Sequence, residues 1–228
     1  MKTDSLVIAI VGAESTGKTR LASELAQALA RHTGAPATWV PEVLREWCDE
    51  RGRTPRADEQ AAIAAEQHRR IDAAADTHRI VVADTTALMT AVYSKLLFDD
   101  ESLRDDALRR HAGSAVTLLT ALDLPWVGDG HQRDGPQVRA PVDTLVRRWL
   151  AEHGIGWSVV GGVGERRLQA ALDAAAPALR ARGLAPPNGL FTRLAGPAAD
   201  AASWTWVCEK CDAPDCEHRL LLGARRGG

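Results

Sequence analysis

Apolar residues along the chain fall into two rhythms. Short continuous runs of β-type residues, Val7-Ile8-Ala9-Ile10-Val11, Ala37-Thr38-Trp39-Val40, Ile80-Val81-Val82-Ala83, Ala115 to Leu122 and Ile155 to Val160, read as strands. Between them, apolar positions recur every three or four residues, as a helix with one buried face requires. Leu21, Leu25, Ala28 and Leu29 set such a face after the first run. Ile63, Gln67, Arg70 and Ile71 mark another in the alanine-rich stretch 57–78, where Gln67 is expected at the surface, with contact to a ligand as the alternative. Further helices are predicted over Ala87 to Phe98, Ser102 to His111, Val142 to His153 and Glu165 to Arg182. Five mostly apolar strands alternating with helices predict an α/β fold of three layers, a mostly parallel sheet covered on both faces.

Turn chemistry separates these segments. Gly34 is placed to cap the first helix, and Pro41 opens a new segment after the second strand. Arg51 to Arg56, with Gly52 and Pro55, reads as a loop, and so does the polar stretch Asp123 to Pro136. The pattern assigns residues 1–182 to one domain, 183–203 to an irregular Ala/Gly/Pro-rich linker and 204–228 to a cysteine-rich tail.

Composition narrows the class. A chain of 228 residues suffices for one α/β domain with a substantial core, and a net charge of -2 is not the balance of a nucleic-acid-binding surface. No apolar run reaches bilayer length and no signal-peptide region precedes the first strand, so the expectation is a soluble cytoplasmic protein without a membrane partner.

The chemistry begins where the first strand ends. Gly12-Ala13-Glu14-Ser15-Thr16-Gly17-Lys18-Thr19 fits G-x-x-x-x-G-K-[ST], and it lies between a strand and a helix, as a P-loop should. Its glycines let successive backbone N–H groups face phosphate oxygens, and the helix beginning near Lys18 adds the positive end of its dipole. Lys18 is expected on the β- and γ-phosphates of ATP and the Thr19 hydroxyl on Mg²⁺. A three-layer P-loop NTPase is the fold this context predicts.

Two acids stand just past strand ends, where ligands of open parallel sheets bind. Glu42 is one, with Arg45 and Glu46 one helical turn on; all three can face the acceptor, or form a solvated ion-pair cluster. Asp84 is the other, assigned to Mg²⁺ or to the substrate hydroxyl; a helix cap is its alternative role, which Thr86 could fill instead. Arg133 and Arg139, beyond the fourth strand, could close over the phosphates.

Taken together, the P-loop with its internal glutamate, Glu42 with Arg45-Glu46-Trp47, Ile80 to Thr86, and Pro125-Trp126-Val127-Gly128-Asp129-Gly130 resemble one family. It is the ribosylnicotinamide (nicotinamide riboside) kinase domain of the bacterial NAD-biosynthesis regulator, NadR-like. The likeness covers about residues 5 to 180, and the Pro-Trp-Val-x-Asp-Gly stretch is its most specific part. It implies transfer of the ATP γ-phosphoryl group to the ribose 5′-hydroxyl of nicotinamide riboside, with Trp126 and Asp129 joining Glu42, Arg45 and Glu46 at the substrate. The family's arginine two positions after the Asp-Gly glycine falls on Gln132 here, with Arg133 next. The regulator's DNA-binding and adenylyltransferase domains have no counterpart, so neither activity is expected. A kinase of another nucleoside, or a regulatory ATP-binding switch, are the competing functions.

Outside the resemblance, Cys208, Cys211, Cys216 and His218 have the spacing C-x-x-C-x-x-x-x-C-x-H, the ligand set of a closed structural Zn²⁺ site.

Overall fold

The first apolar run, β1 (Leu6–Val11), forms the middle of a five-stranded sheet. This computed structural model describes residues 5–127 and 135–184. Around β1 stand β2 (Ala37–Val40), β3 (Ile80–Asp84), β4 (Val116–Thr120) and β5 (Ser158–Val160), in the order β2-β3-β1-β4-β5. Every pairing is parallel, so all five strands deliver their C-terminal ends to one edge. β1 has strands on both sides and helices on both faces, which is why Leu6, Ile8, Ala9, Ile10 and Val11 are fully buried.

The helices are α1 (Lys18–Thr33), α2 (Val43–Arg51), α3 (Gln60–Thr77), α4 (Ala87–Phe98), α5 (Arg104–His111), α6 (Arg139–Glu152) and α7 (Glu165–Ala181). α1 and α7 pack together on one face of the sheet. On the other, Leu88, Met89 and Val92 of α4 meet Val142, Val146 and Trp149 of α6 over Val11 and Leu119. Each such fully buried large side chain contributes about 1.5–3 kcal/mol. α3 covers the β2 side of that face, through Ile71 against Val40, Val81 and Ala83.

Several bounds differ from the apolar pattern for a physical reason. β5 is shorter than its apolar run, because Ile155 and Trp157 pack against the core from irregular backbone, and β4 is trimmed to Val116–Thr120. α6 starts at Arg139, three residues before the expected Val142, and α2 runs on through Arg51. The segment after it is tied down: Arg53 forms two bonds to Glu59, at 2.8 and 2.7 Å, and its guanidinium lies 4.8 Å from the Trp47 ring centroid. Gln67 is buried, not exposed; its amide accepts from Val43 N at 2.8 Å and donates to Pro41 O at 3.2 Å, joining α3 to the β2–α2 turn.

Thr86 caps α4, accepting from Leu88 N, and also meets Nδ1 of buried His111 at 2.9 Å. The other ring nitrogen, Nε2, meets the Thr117 hydroxyl at 3.0 Å. Burial alone holds this imidazole down at about 4, well below the usual 6.5.

Contact density divides the chain into Met1–Pro187 and Asn188–Gly228. The expectations on Asp129, Arg133 and the zinc set Cys208, Cys211, Cys216 and His218 lie outside the described residues, as does the linker from residue 185 on. Among the described residues, no group of three or more His, Cys, Asp or Glu side chains could hold a metal ion, and no helix is long and apolar enough to cross a membrane.

Candidate functional site

Where β1 ends, Gly12 takes φ of +142°, and a Cβ there would lie 2.2 Å from the Thr120 hydroxyl oxygen. Only glycine lets the chain turn so close to β4. The Thr16 hydroxyl donates to the Ala13 carbonyl at 2.7 Å. That leaves the Thr120 proton for Thr16 Oγ1, also at 2.7 Å, with the Val11 carbonyl 3.3 Å away. Ser15, at φ +54°, accepts from Val127 N at 2.8 Å and donates to Val127 O at 3.1 Å, fastening the loop tip to the segment after β4. Lys18 is buried and folded back onto the loop, Nζ donating to Ala13 O at 2.8 Å. Gly17, the N-cap of α1, has no side-chain cap, so the first N–H groups of α1 are left for an anion.

Arg167, in the first turn of α7, anchors this loop from behind. It is buried; Nη2 donates to Thr16 O at 2.6 Å, and Nη1 to Asp123 Oδ1 at 3.1 Å and Gly162 O at 3.0 Å. Asp123 in turn accepts from Gly162 N. Because C=O and N–H point opposite ways in a trans peptide, holding the Thr16 carbonyl outward turns the Gly17 N–H toward the loop interior. A shallow depression bounded by Gly17, Arg20, Leu124, Val163 and Arg167 flanks the loop on this side.

On the opposite flank lies a cavity of about 480 Å³. Glu14 and Lys18 of the loop, with Glu42 at the end of the β2–α2 turn and Arg45 in the first turn of α2, form its charged wall. Pro55, Gln60, Tyr93, Leu97 and Pro141 are among its remaining lining residues. Glu42 is the buried N-cap of α2, and its Oε2 lies 3.6 Å from Arg45 Nε. Cys48 also lines the cavity; burial, then the charges of Asp49 and Glu42, push its thiol up to about 11, so it stays an uncharged filler.

Asp84 ends β3 beside Thr19 and is fully buried, with neither carboxylate oxygen in hydrogen-bond geometry. Burial, then the charge of Glu42, pushes its carboxyl up to about 6; the nearby Thr19 hydroxyl, Lys18 and Arg45 pull the other way. A buried carboxylate with unused oxygens next to a hydroxyl is a donor set that suits a hard divalent cation. Capping falls to Thr86, which frees Asp84 from that role.

The other expected residues divide. Arg139 is buried in α6 with Nη1 on Leu124 O at 2.9 Å, while Nε and Nη2 have no partner among the described residues. Trp126 lies beside the residue that Ser15 holds, its indole N–H buried and equally unpartnered. Glu46 does not join Glu42 and Arg45; it pairs with Arg70 on α3, away from the cavity.

Arg167, Asp123 and Gln60 lie at the loop or the cavity without having been expected there from the amino-acid pattern. For Arg167 a signal existed: two arginines in the first turn of a helix oppose its dipole, which points to work outside the helix. Gln60 carries no local signal.

The AAA domain family model AAA_28 matches residues 7–167. No curated protein matches. Two crystal structures of NadR protein are similar to this chain, one in complex with NAD and AMP-PNP and one in complex with NR. Each has a TM-score of 0.60 at 24% identity over 76% of this chain. The chain spans 49% and 52% of those two chains, about half their length, and the likeness shows a shared fold.

Proposed function

The chain belongs to the AAA_28 family of AAA domains, and from that footing we propose that it is an ATP-dependent kinase of a small nucleoside-type acceptor, with nicotinamide riboside as the substrate. The observation that carries the reading is the cavity on the flank of the P-loop, whose charged wall is shared between the loop and the β2–α2 turn. A nucleotide switch needs no such chamber beside its phosphates. The NadR structures of the same fold hold NR in one case and NAD with AMP-PNP in the other, which supports ATP as donor and a riboside as acceptor.

In this mechanism the uncapped start of α1, Lys18 and the Gly17 N–H hold the triphosphate. Lys18 exchanges its bond to Ala13 O for phosphate oxygens. The acceptor 5′-hydroxyl oxygen forms the new bond to the γ-phosphorus as the bond from phosphorus to the β–γ bridging oxygen breaks, and ADP leaves with that electron pair. Glu42 orients the hydroxyl and takes its proton, with Arg45 holding Glu42 in place. The unpartnered nitrogens of Arg139 are available to the transferring group. Thr19 and Asp84 would hold Mg²⁺, which when bound supplies positive charge to the β- and γ-phosphates.

The deciding measurement is ADP release with and without nicotinamide riboside, followed by a panel of other nucleosides. ADP formation that depends strongly on the riboside is the expected result. Equal release without any nucleoside would replace the kinase reading with a switch, and dependence on a different nucleoside would reassign the acceptor.

A further inference from the structure

Two glutamines on α3 are buried, and the fold treats them in opposite ways. Gln67 spends both ends of its amide on backbone groups of the β2–α2 turn. Gln60, the first residue of α3, is 1% exposed, lines the cavity, and its Oε1 is buried without a hydrogen-bond partner among the described residues. Its position is fixed by the 3-10 turn Ala57–Glu59, which Glu59 locks through Arg53 and the Arg56 N–H. A buried carbonyl oxygen held in place and left unanswered is a site for a donor that arrives with the ligand.

The surroundings say which part of a ligand that is. The charged wall, on the P-loop and the β2–α2 turn, suits the hydroxyl groups and the reacting end. Gln60 belongs to the α2–α3 segment, which with α4 contributes Pro55, Tyr93 and Leu97, apolar surfaces that suit a flat ring.

Resting on the reading that this cavity holds a nucleoside acceptor, we propose that Gln60 is a specificity residue whose carbonyl accepts a hydrogen bond from an N–H on the base. Its ligand class is a nucleoside whose base carries a carboxamide or an exocyclic amine. A base carrying a carboxylate at that position is disfavoured, because it forces the Gln60 amide to turn and adds negative charge to a site already bordered by Glu14 and Glu42.

The test compares nicotinamide riboside with nicotinic acid riboside, which differ in that one group, on the wild type and on Gln60→Leu and Gln60→Glu. For the wild type, kcat/KM is expected to favour the carboxamide by about a hundredfold or more. Gln60→Leu should lose about ten- to a hundredfold on the carboxamide, mostly through KM, and shrink the preference, with KM for ATP unchanged. Gln60→Glu, an acceptor at both oxygens, should retain the carboxamide substrate and sharpen rejection of the carboxylate. If Gln60→Leu melts at or above the wild-type temperature and keeps both its kcat/KM and its preference, the assignment is overturned. If the wild type phosphorylates neither riboside, the riboside reading fails by itself. The assignment is then decided by the same variants on adenosine and cytidine: loss in Gln60→Leu upholds it, and indifference refutes it.

Discussion

Within and behind the P-loop, polar groups answer one another inside the protein: Thr16 with Thr120 and Ala13, Ser15 with Val127, Arg167 with Thr16, Asp123 and Gly162. Around the loop, Asp84, Gln60, Arg139 and the Trp126 indole keep buried polar atoms with no such answer among the described residues. The first arrangement fixes backbone N–H groups before the ligand arrives, so little ordering remains to be done on binding. The second stores unmet hydrogen bonds, each costing about 1–3 kcal/mol, which under the proposed function a bound cation, phosphate or acceptor satisfies. Removing a group from the first set should therefore injure stability and binding together, whereas removing one from the second should injure function and relieve the fold.

The largest effect should come from Lys18, which belongs to both sets because it bonds to its own loop and must let go to reach phosphate. Lys18→Met should lower kcat by about a thousandfold or more. Steady-state kinetics would check this, and turnover within tenfold of wild type would break the P-loop mechanism. Asp84→Asn should cut kcat at least about a hundredfold, yet raise unfolding free energy by about 1–3 kcal/mol, since an ionised carboxylate no longer has to be buried. A denaturation curve beside the kinetics checks both halves; a less stable variant would contradict the account of the unanswered groups.

Arg167→Met should do the reverse, weakening nucleotide binding about ten- to a hundredfold in calorimetry, lowering stability, and leaving the acceptor KM unchanged. Arg167→Lys should not restore it, because one ammonium cannot span Thr16, Asp123 and Gly162 from the same position. A loss of stability with normal nucleotide affinity would reduce Arg167 to packing.

The smallest effect sharpens the contrast through pH. His111 is a buried group with both nitrogens answered, and its folded value of about 4 lies below the usual 6.5. Between these values the unfolded chain takes up a proton that the folded protein does not, so stability falls as pH drops, by up to about 3 kcal/mol. Asp84, at about 6 against a usual 3.8, works the opposite way: the folded protein takes up the proton first, so stability rises as pH drops through that window. In the wild type the two slopes largely offset. His111→Gln should therefore grow more stable from about pH 6.5 to 4, and Asp84→Asn less stable, when urea midpoints are measured across that range. Parallel pH profiles for the two variants would show that the two groups do not titrate in this way.

Much of the sheet and the phosphate-binding half of the site could be read from the sequence, because both are written in contiguous residues. An apolar run of β-type residues followed by G-x-x-x-x-G-K-T specifies strand, turn and helix within one stretch, and all five strands lie within or close to their apolar runs. What could not be read depends on partners far apart in the chain. Glu46 has the helical spacing to face with Glu42, but Arg70, 24 residues on, draws it to α3. Gln60 and Gln67 look alike as alanine-helix glutamines, and only the packing of α3 beside the β2–α2 turn answers one and not the other. Arg167 serves a carbonyl 151 residues away. Periodicity records which face of a helix is buried, and says nothing of which distant atom a buried polar group will meet.

The position of β1 has a consequence for synthesis. Among the strands of this sheet the innermost is made first, and its partners on either side, β3 and β4, begin only at residues 80 and 116. At about 5–20 residues per second, Leu6–Val11 waits several seconds after emerging before one neighbour exists, and longer before both do. Throughout that interval a six-residue, charge-free segment of high β-propensity has both edges open, the kind of segment that pairs with other nascent chains. Yield of folded protein should therefore depend on the speed of translation between β1 and β4, and on holdase chaperones, more than on the stability of the finished domain.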